Sequence, residues 1–283
     1  QWEKQYLEDY GDDMWSVETD DSGATMEDGL KKEVMEVICK THILNQHAQE
    51  YNAELTAEEK AAVSERAESF MSAYHAALLD FAGADEEFVT EQLSATELST
   101  KVEELAGKEY EPDIAEEDYQ REGICYVLIS TTGLRDADGN LTPFSDEEVQ
   151  ERTQMAKELS QKAKETGDLK SVAEEAGLRP IESSMGRSNE GDGQEPLMLD
   201  AARALAVGEV SDPIETEEGW FLVQHTNDYD ESGTVYWKEY LTEQAQQSYA
   251  QEIYEQWRAD AQIVQNEEIM DSVIVKDVLK ELL

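Results

Sequence analysis

Ala201-Ala202-Arg203-Ala204-Leu205-Ala206-Val207-Gly208-Glu209-Val210-Ser211-Asp212-Pro213-Ile214-Glu215-Thr216-Glu217-Glu218-Gly219-Trp220-Phe221 compresses four elements into one short run. Leu199–Leu205 has the composition of a short helix, and Gly208 stops it. Ser211–Thr216 and Trp220–Gln224 read as two strands, split by the acidic turn Glu217-Glu218-Gly219.

Upstream, Ile124-Cys125-Tyr126-Val127-Leu128-Ile129-Ser130 is a short β-branched and aromatic run typical of a buried strand. A Gly/Asp/Asn/Pro loop follows from Thr131 to Phe144. Ser145-Asp146-Glu147-Glu148 then caps a helix to about Thr166, and a shorter helix covers Leu169–Ala176. A strand near Ile181–Met185 and a Gly-rich loop (Gly186, Gly191, Gly193) lead back to the opening stretch. The order is β-α-α-β-α-β-β, a compact α+β domain over residues 119–229.

Both flanks are helical. Leu30, Val34, Val37, Ile38, Leu44, Ala48 and Tyr51 recur at three- to four-residue steps. Thr56-Ala57-Glu58-Glu59 has the form of a capping box, ahead of Val63, Ala67, Phe70, Tyr74, Leu78 and Phe81. A second such box, Ser94 to Glu97, is expected to open a helix with Leu98, Val102 and Leu105. Beyond Val235, the residues Trp237, Leu241, Ala245, Tyr249, Ile253, Trp257 and Ala261 lie about one turn apart, followed by Ile269, Val273, Val275, Val278 and Leu279. Apolar faces on both sides of an α+β insert need each other. Residues 30–118 and 230–283 are therefore expected to form one discontinuous helical domain. Residues 1–29, with Trp2, Tyr6, Tyr10, Trp15, Asp20 and Asp21, read as an acidic, aromatic arm.

Composition narrows the function classes. In 283 residues, 67 acidic side chains oppose 22 basic ones, a net charge of −45. A polyanion is repelled by such a surface, which argues against nucleic acid and favours cations, basic segments and unfolded chains as partners. No apolar run reaches the roughly 20 residues that span a bilayer. Two cysteines, Cys39 and Cys125, make no disulfide framework and read as small hydrophobes. Acidity, few cysteines and a first residue, Gln1, that is not Met fit a cell-envelope or secreted protein. A signal peptide and a lipid-anchoring Cys are then expected upstream of Gln1.

Motif chemistry is sparse. His42 and His47 stand five apart, not the four that would place two ligands on one helical face, and His75 and His225 are isolated. These histidines read as surface or boundary residues. Asp136-Ala137-Asp138-Gly139-Asn140 with Thr142 and Glu147 imitates a calcium loop, but its turn position holds Leu141, so it reads as a solvated turn. The runs Asp12-Asp13, Glu116-Glu117-Asp118 and Glu267-Glu268 read as solvated faces. No metal or other cofactor is implied. Hydrolase, nucleotide-binding and zinc chemistry lack their motifs.

The 201–221 run resembles, without a gap, the closing helix, Gly-Glu-hydrophobic-Ser-x-Pro strand, turn and Gly-aromatic-His strand of the parvulins. These are the rotamase domains of peptidyl-prolyl isomerases. Ser184-Met185-Gly186 stands where the family has Asp-Leu-Gly, and Tyr126-Val127-Leu128 where it has His-Ile-Leu. The flanks resemble the split helical domain of cell-envelope foldases of the SurA and PrsA type. The resemblance implies an α+β fold, with a parvulin-like domain inserted into a discontinuous all-helical, SurA-N-like chaperone domain. It also implies proline-containing or unfolded polypeptides as partners.

Active parvulins carry two strand-borne His, a Cys or Asp, and Met and Phe in the proline pocket. Here Tyr126 and Phe221 take the two His positions, Gln194 the Met position after one inserted residue, and Met198 the Phe position. Gly177-Leu178-Arg179 spans the Cys/Asp position and holds neither. The expected substrate groove comprises Tyr126, Met185, Gln194, Met198 and Phe221. Two functions follow from the resemblance: a holdase for secreted chains with a weak or inactive isomerase domain, or an isomerase acting on Xaa-Pro bonds through groove shape. A third reading is a surface module for one folded partner, which would yield one stoichiometric complex.

Overall fold

The computed structural model describes residues 15–19, 23–135, 141–187 and 193–273. Trp2, Tyr6, Tyr10, Asp12-Asp13, Asp20-Asp21, the turn at 136–140, Gly191, Val275, Val278 and Leu279 lie outside the described residues. The chain forms two compact units. The helical unit takes Gln1–Glu111 with Ala245–Leu283, and the central unit is Pro112–Gln244. The fold is α+β, an antiparallel-sheet domain inserted into a discontinuous helical one.

The helical unit is built from α1 (Met26–Gln46), α2 (Ala57–Ala73), α3 (Ala76–Ala82), α4 (Glu86–Lys108), and, from the far end of the sequence, the last turns of α9 (Glu231–Asp260) and α10 (Glu267–Ser272). Between them in the central unit lie α5 (Glu116–Tyr119), α6 (Asp146–Thr166), α7 (Leu169–Glu175) and α8 (Pro196–Arg203).

In the helical unit, Thr56 and Glu59 close the expected capping box on α2. The expected second box does not form. Asp85 caps α4 instead, and Ser94 sits inside that helix with its hydroxyl donated to the Thr90 carbonyl at 2.7 Å. The helix expected to run on to Phe81 breaks after Ala73, and His75 caps α3 through its ring nitrogen. The core joins both ends of the sequence: Ile43, Leu44, Ala48, Ala53, Val102 and Tyr254, with Tyr51, Leu98, Leu105 and Trp257 against them. His47 stacks on Trp257 at 3.9 Å, and Tyr110 on Tyr249 at 5.1 Å. Gly107 makes one close approach possible, since a Cβ there would stand 2.8 Å from the Gln246 carbonyl oxygen.

Across this unit Lys101 donates to both carboxylate oxygens of Glu59, at 2.8 and 2.9 Å. Lys101, followed by the Thr56 backbone N–H, holds the Glu59 carboxyl at about 2, below its usual 4.5. A depressed carboxyl contributes stability that is full above its unfolded value and is lost as pH falls through the folded one. Glu59→Gln is therefore expected to lower the thermal midpoint of this unit at pH 7. The gap should narrow below pH 4.5 and close near pH 2, as read by circular dichroism.

The central unit holds β1 (Glu122–Ser130), β4 (Ile181–Met185), β5 (Ile214–Glu215) and β6 (Gly219–Asn227) in one antiparallel sheet ordered β4-β1-β6-β5. The order of strands and helices is the one read from the sequence, with one addition: β2 (Gly133–Arg135) and β3 (Leu141–Pro143) form a hairpin within the expected loop. Alternation along β1 and β6 gives the sheet two distinct apolar faces. Val127, Ile129 and Leu222 face Ala156, Leu159 and Ala163 of α6 and Leu169, Val172 and Ala173 of α7. Ile124, Phe221 and Val223 face Met198, Leu199 and Ala202 of α8.

Buried Gln224 secures the first of these faces. Its amide donates to the carbonyls of Gly167 (2.7 Å) and Gly208 (3.1 Å), and its oxygen accepts from Leu169 N–H. Both cysteines are free. Cys125 lies buried, its thiol pushed up to about 11 by burial and then by Glu182, whereas Cys39 is only half-buried.

Candidate functional site

The face of the sheet under α8 carries the residues that the sequence marks for the groove. β1 places Tyr126 and Leu128 two residues apart on this face. β6 places Phe221 opposite Leu128 and Val223 opposite Tyr126. The Tyr126 and Phe221 rings stand 6.1 Å apart, tilted by 48°. Met185, from β4, and Met198 join the same cluster. Gln194 approaches β4 through its amide, which donates to the Ser183 hydroxyl at 2.6 Å.

These residues divide by depth. Met198 is 0% exposed, Met185 1% and Phe221 7%, so they form packed floor. Tyr126 and Gln194 are half-buried and reach solvent. Burial pushes the Tyr126 phenol above its ordinary range, so at neutral pH it is a neutral hydroxyl.

The sequence reading overlooked Leu197. It stands one residue before Met198 and is 54% exposed at the head of α8. The available signal was Pro196: proline favours the first turn of a helix, and α8 starts there, three residues earlier than the expected Leu199. That start turns Met198 inward and leaves Leu197 outside.

Among the described residues, no acid–base pair is assembled on this face. His225 is buried, contrary to the surface or boundary position expected of it. Its Nδ1 lies 3.0 Å from the Leu205 carbonyl oxygen, and its Nε2 lies 2.9 Å from that of Asn227 and 3.2 Å from a Glu122 carboxylate oxygen. Its ring is committed to the joint between β6 and the segment after α8. Among the described residues no group of three or more His, Cys, Asp or Glu is placed to hold a metal ion.

The chemistry open to such a face is narrow. Rotation about a peptide C–N bond faces a barrier of about 18–20 kcal/mol and needs no covalent intermediate. A protein lowers it by taking the amide out of water and fitting the twisted state better than either planar one. Tyr126 and Leu128, both half-buried, supply apolar surface over the packed floor, and the Tyr126 hydroxyl supplies a neutral donor. Among the described residues of this face one polar atom is unsatisfied: the Gln194 side-chain oxygen is buried without a hydrogen-bond partner. An orphaned buried acceptor costs about 1–3 kcal/mol. Gln194→Met is therefore expected to raise the stability of the central unit by about 1 kcal/mol in denaturant unfolding.

Residues 128–227 match the Rotamase family, the PPIC-type PPIASE domain. Comparison with curated proteins finds no match. Among solved structures the chain is similar to the foldase protein PrsA from Streptococcus pneumoniae, at 18% identity over 88% of this chain and 94% of that one (TM-score 0.42). It is also similar to PrsA from Lactococcus lactis, at 14% identity over 88% of each chain (TM-score 0.43). A peptidylprolyl isomerase, PrsA, from Bacillus cereus shares 18% identity over 99% of this chain and 92% of that one (TM-score 0.35). With the antiparallel sheet, its three covering helices and the Gly219-Trp220 turn in place, the central part of this chain is a rotamase domain of the PPIC type.

Proposed function

We propose that the chain is an extracytoplasmic foldase, with a helical unit that holds unfolded secreted polypeptides and a rotamase domain that serves mainly as a second peptide-binding surface. The observation that carries this reading is apolar side chain left outside on the helical unit. Val34, Val37 and Ile38 recur at one face of α1 and are exposed, with Val37 at 63%. The sequence period pointed them inward, but only Ile43 and Leu44 of that helix are buried. Phe70 and Tyr74 are also exposed and touch each other, 4.7 Å between ring centres. Contiguous exposed apolar surface of this kind marks a site of interaction.

Strong negative charge supports the same reading, because it keeps a client-laden protein soluble and repels its copies. It also agrees with a cell-envelope or secreted location. No helix among the described residues is long and apolar enough to cross a membrane.

Two assays test the proposal together. At stoichiometric ratio the chain should suppress aggregation of an unfolded model client, and Val37→Glu with Ile38→Glu should abolish much of that effect. In a protease-coupled assay of an Xaa-Pro peptide it should stay near the uncatalysed rate. Absence of suppression overturns the holdase role. A second reading, catalysis through groove shape, is favoured by half-buried Tyr126 and Leu128 standing over a floor of Met198 and Phe221. It requires clear acceleration that Tyr126→Ala, at a position that reaches solvent, removes without unfolding the domain.

A further inference from the structure

The first turns of α9 belong to the central unit, and their two sides differ sharply. One side is committed inward. Thr234 is buried and accepts the Arg121 backbone N–H at 3.0 Å, while the Arg121 guanidinium lies 4.5 Å from the centre of the Trp237 ring. On the other side Val235, Tyr236 and Glu239 point to solvent, with Tyr236 66% exposed. Together with Tyr229, Asp230 and Glu231 they line an open cleft of about 670 Å³.

The lining is aromatic and anionic and contains no basic side chain. Asp230 is occupied as a helix cap, taking the Ser232 hydroxyl at 2.8 Å and the Gly233 N–H at 3.1 Å. Neither Glu231 nor Glu239 has a basic partner among the described residues. Lys238, the nearest cation along the helix, lies over the Tyr119 ring at 5.0 Å.

A purely apolar occupant would strip water from two carboxylates and return nothing for it. An anionic one would be repelled. An Arg or Lys side chain answers both demands: its methylene stem covers Val235, its charge meets Glu231 or Glu239, and tyrosine faces attract cations. We infer that this cleft docks a cationic, extended polypeptide segment, one that carries Arg or Lys beside apolar residues. The inference rests on the polypeptide-binding reading above and names the class of segment that one face would select.

The test uses the full chain and two fluorescent peptides of equal apolar content, one with Arg and Lys and the other with Gln in their places. Fluorescence anisotropy should show the basic peptide binding about tenfold more tightly, with the advantage shrinking at high salt. Tyr236→Ala and Glu239→Lys should each cut affinity for the basic peptide by about tenfold and leave circular dichroism unchanged. Suppression of aggregation of a neutral client is measured beside them and should be unaffected by either substitution. Equal affinity for the two peptides, or unchanged affinity in both variants, overturns the assignment. A selective, variant-sensitive peptide signal without any aggregation suppression would leave the cleft standing and remove the holdase role.

Discussion

Gly219→Ala is expected to unfold the central unit, with segments of β1, β4 and β6 losing their protection from hydrogen exchange. Gly219 has φ of 140°, a region that residues with a side chain rarely adopt. A Cβ there would stand 2.8 Å from the Thr131 nitrogen and 2.9 Å from the Ser130 Cα, and closer still to the Ile129 carbonyl oxygen. These neighbours are backbone atoms of β1 and its exit, so none of them is the movable end of a side chain. Strain of about 1–3 kcal/mol adds to overpacking of about 1–3 kcal/mol. The sum is a large part of the roughly 5–15 kcal/mol that holds a domain together. Relief by local opening is blocked, because Gly219 also exchanges hydrogen bonds with Thr216 across the turn and Thr131 N–H is held by the Glu218 carbonyl. Undiminished protection in β1 and β6 would show that the turn tolerates a side chain and that its glycine is incidental.

The same turn explains why the middle of the chain was readable and the flanks less so. Around Gly219 every local signal agrees: a glycine at a positive φ, strands with β-branched or aromatic residues, a Ser145–Glu148 capping box, and faces that alternate with the pleat. Strands are short, and an error of one residue inverts the face, so β1 and β6 carry their own check in the alternation of Val127 and Ile129 against Tyr126 and Leu128. Helices offer a weaker check. Stepping by four from Trp237 to Ala261 drifts about 40° per step from the helical repeat of 3.6. The apolar residues actually buried on α9 are Ala250 and Tyr254, each next to a residue on that list. On α1 the period itself was right, but period does not say what covers a face, and Val34, Val37 and Ile38 remain outside.

The meeting of the residues expected to line a groove was legible, and their exposure was not. Tyr126, Met185, Met198 and Phe221 do come together, since strand register and the helix that crosses it bring them there. Which of them reach solvent depends on where α8 begins, and a shift of one residue exchanges Met198 for Leu197. Pairing of Gln194 with Ser183 depends on the side-chain geometry of two segments that the sequence keeps apart. No spacing rule contains it.

Tyr254→Ala carries the second large effect, expected in the helical unit. Tyr254 is 4% exposed and packs among Ile43, Leu44, Ala48, Ala53 and Val102, while Lys40 Nζ lies 5.5 Å from its ring centre. Removing a buried aromatic ring costs about 3–5 kcal/mol, because the cavity left behind closes only in part. The cavity would open against residues from the other end of the sequence, so loss of exchange protection is expected in α1 and α4 as well as in α9. Tyr254→Phe keeps the ring and should leave those segments protected, which separates packing from any effect of the hydroxyl. If Tyr254→Ala weakened only the end of α9, the two helical segments would be neighbours without a common core. Joint loss instead means that the core shared by the first helices is complete only once the chain has finished, rotamase domain included.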